Sequence, residues 1–224
     1  MRLAIYGFGG LGLEVLELAE AINSTKEYWS EIFFIDDNKR SDEHLTLSFE
    51  EFFSKKDSLR NEVEVVIAVG EPTLREDLYK KVEKLDLNFA TLIHPMSIIS
   101  KKSTIGKGVI VGFSSSISHS VVISDNVFIQ PNVIIGHDTV INRNSIVSPG
   151  VSVGGNVQIG KTVFIGFNSS IIQNCHIGDN SIVGMGSSVN MNVPESSLVV
   201  GNPAKIISTS NNRRVFSGVK VNES

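Results

Sequence analysis

The sequence predicts two domains of different classes: a small α/β domain with a parallel sheet over residues 1–92, and a β-solenoid over residues 93–207. The first part alternates short apolar runs with amphipathic runs, as βαβ units do. The second part repeats a six-residue pattern without interruption, which is the signature of a stacked repeat. A polar tail at residues 208–224 has neither pattern and is expected to be poorly ordered at its end.

The first domain shows its elements as changes in hydrophobic period. In chain order we expect a strand at Arg2–Tyr6, a glycine-rich turn, a helix over 11–22, strands at Glu31–Ile35 and 62–69, and a helix beginning at Pro72. A last short segment over 89–93 leads into the solenoid. Proline suits the first turn of a helix, where its missing N–H has no intrahelical acceptor. The alternation favours one small parallel sheet.

The second domain begins every hexad with Ile or Val, and the fifth residue of each hexad is Ser, Val, Thr or Cys. A period of six fits neither a helix of 3.6 residues per turn nor a two-sided strand. It fits a solenoid in which each hexad forms one flat face and one corner. The seventeen hexads begin at Ile93, Ile99, Ile105, Val111, Ile117, Ile123, Ile129, Ile135, Ile141, Val147, Val153, Ile159, Ile165, Ile171, Ile177, Val183 and Val189.

Bulk composition excludes several classes of function. A net charge of −4 argues against a sequence-independent nucleic-acid binder, which needs a basic face. The single cysteine, Cys175, occupies a small-residue position of the repeat and allows no disulfide within the chain. No signal-peptide pattern and no apolar run of membrane-spanning length is found. We therefore expect a cytoplasmic protein that does not bind membranes.

Three hexads per coil would stack residues eighteen apart, so the third residues of the hexads line three edges. The charged edge carries Lys107, Asp125, Arg143, Lys161 and Asp179. The apolar edge carries Phe113, Pro131, Pro149, Phe167 and Met185, and is suited to meet a neighbour. The histidine edge carries Lys101, His119, His137, Gly155 and Gln173.

The histidine edge is the candidate for chemistry. Imidazole is the side chain best suited to accept a proton near neutral pH. A glycine one coil above could offer its backbone N–H to a developing oxyanion without a side chain in the way. The alternative is that His119 and His137 merely occupy tolerant corner positions, and the spacing by itself leaves both interpretations open.

An ordered set of motifs resembles the sugar acetyltransferases of the PglD/NeuD type. These motifs are G-x-G-G-x-G at residue 7, F-I-D-D, L-I-H-P, I-G-H-D, S-P-G, G-G-N-V-x-I-G and G-N-P-A-K, spread over residues 2–207. The resemblance implies a left-handed β-helix, acetyl-CoA as donor, an amino- or hydroxy-sugar as acceptor, no metal, and a homotrimer with active sites between subunits.

The resemblance also implies roles for residues of the solenoid. His137 corresponds to the general base, and Asp138 to an acidic residue that orients the imidazole. Gly155 corresponds to the contact with the thioester carbonyl. Separately, Lys205 in the closing segment is a candidate contact for a phosphate of CoA, with a solvated lysine as the alternative. Some members have a second histidine nine residues after the base, where this chain has Ile146, so the acceptor need not be identical.

The Rossmann-like first domain is implied to bind a sugar nucleotide. The turn with Gly7, Gly9, Gly10 and Gly12 follows a strand and opens a helix, as a phosphate cradle does. The resemblance places Asp36, Asp37 and Lys39 near the base and ribose, with Arg75 as a further contact. The residues alone leave a simple polar turn at 36–38 as the alternative. His94 is expected to be a junction residue between the domains.

The leading hypothesis is an N-acetyltransferase acting on a nucleotide-linked 4-amino sugar, with His137 as base. The alternative is an O-acetyltransferase for sialic acid or another surface sugar. A zinc hydratase needs three convergent histidines, whereas one edge here offers only His119 and His137. A non-catalytic scaffold is the remaining alternative. The sequence does not decide which nucleotide (UDP, dTDP or GDP) and which sugar are bound, or whether a longer acyl donor is used.

Overall fold

The structure, a computed structural model, describes residues 1–55, 62–210 and 214–216. The first domain has a five-stranded sheet in the order β3-β2-β1-β4-β5, with every neighbouring pair parallel. Its strands are β1 (Arg2–Tyr6), β2 (Glu31–Ile35), β3 (Thr46–Leu47), β4 (Val63–Ile67) and β5 (Asn88–Phe89). The helices are α1 (Gly10–Lys26), α2 (Phe49–Ser54) and α3 (Pro72–Glu83).

The predicted elements of this domain are confirmed, with differences at their ends. The strands β1 and β2 have the predicted bounds, while α1 extends four residues beyond the predicted end at residue 22. The strand β3 and the helix α2 were not predicted, because neither is long enough to show a period. A capping box between Ser48 and Glu51 fixes the start of α2, since each side chain accepts the other residue's backbone N–H.

The solenoid has three flat faces made of two-residue strands. The face that meets the first domain, here the domain face, contains β6 (Leu92–Ile93), β9 (Ile110–Val111), β12 (Phe128–Ile129), β15 (Ile146–Val147), β18 (Phe164–Ile165) and β21 (Ile182–Val183). The strand β23 (Ser197–Val200) extends this face, and β24 (Lys205–Thr209) pairs with β23 antiparallel. The second face contains β7 (Ile98–Ile99), β10 (Ser116–Ile117), β13 (Ile134–Ile135), β16 (Ser152–Val153), β19 (Ser170–Ile171) and β22 (Ser188–Val189). The third contains β8 (Thr104–Ile105), β11 (Val122–Ile123), β14 (Val140–Ile141), β17 (Gln158–Ile159) and β20 (His176–Ile177).

The register between coils is eighteen residues, as predicted. Ile117 pairs with Ile135, and Ile135 pairs with Val153, all in parallel. These hexad-opening residues are buried along the axis of the solenoid, where they form a continuous apolar core. Serine at the fifth position binds between coils: the Ser145 hydroxyl donates to the Gly160 carbonyl and accepts from the Val163 N–H. The predicted fold class, an α/β domain followed by a left-handed parallel β-helix, is confirmed.

The corners depend on a left-handed backbone conformation at the fourth residue of the hexad. Asparagine and glycine tolerate this conformation best, and aspartate also does so because its short side chain bonds locally. The non-glycine residues with positive φ at these positions are Ser114, Ser120, Asn126, Asn132, Asp138, Asn144, Asn156, Thr162, Asn168, Asn174 and Asn180. Asp138 is the acidic member of this series.

The first domain packs on the domain face through α1. Val15 and Leu18 of α1 are buried in one cluster with Phe128, Ile146 and Phe164, which point outward from that face. An aromatic or aliphatic side chain buried in this way contributes about 1.5–3 kcal/mol to stability. The first domain therefore covers one face of the prism and leaves the edge opposite to that face uncovered.

Arg75 joins the two domains and corrects the expectation that it contacts a nucleotide. Its side chain is 0% exposed, so it cannot reach a ligand at the surface. The guanidinium donates to the backbone carbonyls of Ile67 and Asn126, and lies 5.5 Å above the centroid of the Phe128 ring. Burial lowers the pKa of Arg75 to about 9, which still leaves the group charged at neutral pH.

We expect Arg75→Ala to lower the free energy of unfolding by about 3 kcal/mol, because it leaves two buried carbonyls without donors. Chemical denaturation of the full chain measures this change. Arg143→Ala is the matched control, since Arg143 is half exposed and pairs with Asp125 at the surface, where an ion pair contributes under about 1 kcal/mol. Equal losses in the two variants would contradict the structural role of Arg75.

Candidate active site

The histidine edge exists as the sequence predicted. The Asp138 N–H donates to the carbonyl of His119, and the Asn156 N–H donates to the carbonyl of His137. These bonds place His119, His137 and Gly155 on three successive coils of the same corner. The corner lies between the second and third faces of the solenoid, since β13 leads into it and β14 leads out of it.

His137 is held by the residue that follows it. Its Nδ1 lies 2.8 Å from Oδ2 of Asp138, and both side chains are more than half exposed, at 65% and 59%. The left-handed backbone of Asp138, with φ of 57°, turns the carboxylate back toward the ring. When Nδ1 carries the proton and donates it to this carboxylate, the lone pair of Nε2 points away from Asp138. His137 can then accept a proton at Nε2.

Gly155 lies directly against the free nitrogen of His137. A Cβ atom placed on Gly155 would be 2.6 Å from Nε2 and 2.7 Å from Cε1 of His137. A side chain at residue 155 would displace the His137 ring, so glycine at this position allows the ring to lie where it does. Nε2 of His137 and the backbone of Gly155 therefore line the same small space.

The backbone N–H at a third-residue position can bind an anionic oxygen, and the charged edge shows this. There the Lys107 N–H donates to Oδ1 of Asp125 at 2.9 Å, and the Lys161 N–H donates to Oδ1 of Asp179 at 2.8 Å. Gly155 holds the equivalent position on the histidine edge. Within the described residues, no protein atom accepts a hydrogen bond from the Gly155 N–H. This N–H can donate a hydrogen bond to a carbonyl oxygen that carries partial negative charge.

The glycine-rich loop leaves an open space at the start of α1. Gly7 has φ of 117°, and a Cβ on Gly12 would lie 2.1 Å from the Gly7 carbonyl oxygen, so both positions need glycine. Cβ atoms on Gly9 or Gly10 would meet nothing within 4 Å. The N-cap of α1 makes no side-chain hydrogen bond, which leaves the first N–H groups of the helix available to an anion.

The acidic turn after β2 is tied to this loop. Oδ2 of Asp36 accepts from the Phe8 N–H, and Oδ1 accepts from the N–H groups of Asn38 and Lys39. Oδ1 of Asp37 accepts from the Phe49 N–H at the start of α2. Both carboxylates therefore serve the polar turn, and the exposed Lys39 belongs to the same turn through its backbone N–H. The structure brings the loop and this turn to the same edge of the sheet.

A cavity of about 500 Å³ lies between α1 and the apolar edge. Its size is that of a small-molecule site. Acidic residues of α1 and an imidazole face it, a feature that the sequence interpretation missed because the cavity depends on contacts between residues far apart in the chain. The lining residues include Glu14, Glu17, His94, Phe113, Pro131 and Pro149.

The remaining candidates lie apart from these sites. Lys205 begins β24 and is exposed, on the sheet of the domain face and not beside His137. His119 bonds Ser120, with Nδ1 2.6 Å from the hydroxyl oxygen. Among the residues that the structure describes, no group of three or more His, Cys, Asp and Glu side chains could hold a metal ion. No helix in the described part is long and apolar enough to cross a membrane.

Comparison with known families gives two matches along the chain. Residues 2–82 match the PglD N-terminal domain, and residues 120–155 and 156–190 match the bacterial transferase hexapeptide, a family of six repeats. The chain joins a PglD N-terminal domain to transferase hexapeptide repeats. The recognition of a PglD/NeuD-type sugar acetyltransferase, and with it the enzyme class, is confirmed.

Solved structures agree over nearly the whole chain. The acetyltransferase domain of PglB from Neisseria gonorrhoeae is 27% identical with a TM-score of 0.85, covering 92% of this chain and 99% of that one. WeeI from Acinetobacter baumannii is 28% identical with a TM-score of 0.84, covering 92% and 100%. PerB from Caulobacter crescentus, solved with CoA and GDP-perosamine, is 25% identical with a TM-score of 0.81, covering 93% and 98%. A search of curated proteins gave no match.

The glycine-rich loop yields a test that uses two neighbouring glycines of one helix. Gly12→Ala would place Cβ against the Gly7 carbonyl, so we expect a loss of about 3 kcal/mol in the free energy of unfolding. Gly10→Ala meets open space and should change stability by less than about 1 kcal/mol. Denaturation curves of both variants measure these changes. A loss of stability in Gly10→Ala similar to that in Gly12→Ala would show that the space beside Gly10 is not open.

Proposed function

We propose that the protein transfers an acetyl group from acetyl-CoA to the amino group of a nucleotide-linked 4-amino sugar. The observation that carries this proposal is the position of the His137 Nε2 atom against Gly155, with Asp138 holding the opposite ring nitrogen. The PglB acetyltransferase domain has been solved with acetyl coenzyme A, and PerB with CoA and GDP-perosamine. These relatives support acetyl-CoA as donor and an amino sugar as acceptor.

In the proposed reaction the amine attacks the carbonyl carbon of the thioester while its proton passes to Nε2 of His137. The carboxylate of Asp138 stabilises the imidazolium that forms, because it already bonds Nδ1. Collapse of the tetrahedral intermediate breaks the carbon–sulfur bond. The CoA thiolate then takes the proton from His137, so that the histidine returns neutral.

The oxyanion of that intermediate is assigned to the Gly155 N–H. The same backbone group on the charged edge binds carboxylate oxygens, so an N–H at a third-residue position of this solenoid can bind a negative oxygen. A single preorganised donor of this kind contributes about 3 kcal/mol to the transition state. Lys205 is kept as a proposed contact for a phosphate of CoA.

The geometry favours an active site between subunits. The glycine-rich loop belongs to the domain that covers the domain face, whereas His137 lies on the edge opposite to that face. Within the ranges 1–55, 62–210 and 214–216, no hydrogen bond or ring contact joins the glycine-rich loop to His137. We propose a homotrimer in which the histidine edge of one subunit approaches the cavity beside α1 of the next. The exposed Phe113, Phe167 and Met185 of the apolar edge suit such an interface.

The acidic lining of the cavity favours an amino sugar over a hydroxy sugar. Glu14 and Glu17 lie one turn apart on α1 and both face the cavity. Two carboxylates attract an ammonium group, whereas a neutral hydroxyl gains nothing from their charge. The glycine-rich loop with Asp36, Asp37 and Lys39 is proposed to hold the nucleotide. We also propose a cytoplasmic location, because the free thiol of Cys175 is consistent with a reducing compartment.

We expect His137→Asn to lower kcat by roughly 10²–10⁴-fold, because the amine loses its general base. His176→Asn is the matched control, since His176 is also exposed but lies on the third face, and it should keep full activity. Thiol release from acetyl-CoA measures both variants. Normal activity in His137→Asn, with the oligomer intact, would contradict the role of His137 as general base, whereas no activity in the wild type would favour a scaffold without catalysis.

The substrate class is tested by a panel of acceptors supplied with acetyl-CoA. We expect turnover of a UDP-, dTDP- or GDP-linked 4-amino sugar and none of the matching 4-hydroxy sugar, because the cavity is acidic. Turnover of sialic acid or of another free sugar, with no amino sugar accepted, would instead establish the O-acetyltransferase alternative.

A further inference from the structure

The cavity between α1 and the apolar edge has a floor that is built by the register of the solenoid. Phe113, Pro131 and Pro149 line it at intervals of eighteen residues, on three successive coils. These side chains present flat apolar surfaces, which suit the C–H face of a sugar ring. The helix α1 forms the opposite wall, where Glu14 and Glu17 face the same space.

The polar side chains that line the cavity, within the described part of the chain, are Glu14, Glu17 and His94. An ionised carboxylate accepts hydrogen bonds and has none to donate. The imidazole is therefore the side chain of this lining that can donate one. His94 follows β6, and its backbone N–H donates to the Val111 carbonyl, which places His94 one coil before Phe113.

The ring of His94 is held in one orientation. The Met96 N–H donates to Nδ1 of His94, with 3.1 Å between the two nitrogens. The ring also makes an edge contact with Phe113, with 6.0 Å between centroids. A nitrogen that accepts an N–H carries a lone pair, so the neutral imidazole has its proton on Nε2. No protein atom in the described ranges bonds Nε2, and the residue is only half-buried, so this N–H is a free donor at the cavity.

The cavity lies within reach of a sugar whose diphosphate is bound at the start of α1. Glu14 and Glu17 follow the first residue of the helix, Gly10, by four and seven residues, which is roughly 6–10 Å along the helix axis. A pyranose ring joined to the diphosphate spans such a distance. In the proposed function the nucleoside lies on the other side of the diphosphate, toward Asp36 and Lys39. The two halves of the ligand therefore do not compete for one space.

A 4-amino sugar has a group for each part of this lining. Its ammonium is attracted by the two carboxylates of α1, its C–H face packs on Phe113, and its hydroxyl oxygens can accept a hydrogen bond. We propose that His94 is a specificity-determining residue, whose Nε2–H donates to a hydroxyl oxygen of the acceptor sugar. This inference rests on the proposed function, which places the sugar in the cavity. His94 binds and orients the sugar, while the proton transfer stays with His137.

The test is steady-state kinetics of the full-length enzyme with the nucleotide-linked amino sugar that it turns over best. His94→Phe keeps a ring against Phe113 but removes the N–H, so we expect it to raise the KM for the sugar roughly tenfold. His94→Gln retains an N–H donor on its amide and should recover most of that loss. The kcat and the KM for acetyl-CoA should stay unchanged in both variants.

A second measurement uses acceptors that each lack one ring hydroxyl. With one of them the wild type should lose roughly tenfold in kcat/KM, because the Nε2–H of His94 is left without an acceptor. His94→Phe should lose nothing with the same acceptor, since its hydrogen bond is already absent. If His94→Phe discriminates against every such acceptor as strongly as the wild type does, His94 is not the donor and the inference is overturned.

His176→Phe is the matched control, because His176 is exposed on the third face and does not line the cavity. It should match the wild type in all of these constants. An unchanged KM in His94→Phe would overturn the inference while the proposed function stands. Equal losses in His94→Phe and His94→Gln, with a lower melting temperature in both, would do the same, since they indicate a purely structural role. If the wild type turns over no nucleotide-linked amino sugar, the proposed function fails, and this inference fails with it.

Discussion

The rest of the structure depends on the eighteen-residue register between coils. Backbone hydrogen bonds from each coil to the next fix this register, and a left-handed fourth residue turns the corners from Gly108 to Gly186. A slip of one residue would turn the buried Ile and Val positions outward. The same register sets His137 against Gly155, aligns the apolar edge, and leaves one face for the first domain. Catalytic geometry and fold therefore share one constraint.

Asp138 shows how closely the fold and the catalytic geometry are linked. The corner needs a residue that tolerates positive φ, and aspartate satisfies this need as asparagine does elsewhere in the repeat. The same backbone conformation turns its carboxylate onto Nδ1 of His137. A neutral side chain would serve the corner equally well, so the charge is explained only by the neighbouring imidazole.

Much of this arrangement was predictable because it follows from a strict period. The coils, the three edges, and the pairing of His137 with Gly155 all come from counting in steps of six and eighteen. Features without a period were not predictable. Arg75 resembles any polar helix residue until the domains dock and bury it. The short elements β3 and α2 and the cavity beside α1 likewise depend on contacts between residues far apart in sequence.

The measurement that tests the central claim most directly is a crystal structure of the complex with CoA and a nucleotide-linked amino sugar. We predict that the CoA sulfur lies beside the Gly155 N–H on the histidine edge. The amino nitrogen of the sugar should lie about 3 Å from Nε2 of His137, with its nucleotide held by the first domain of a neighbouring subunit. A sugar nitrogen far from His137, or CoA bound on another edge, would contradict the account.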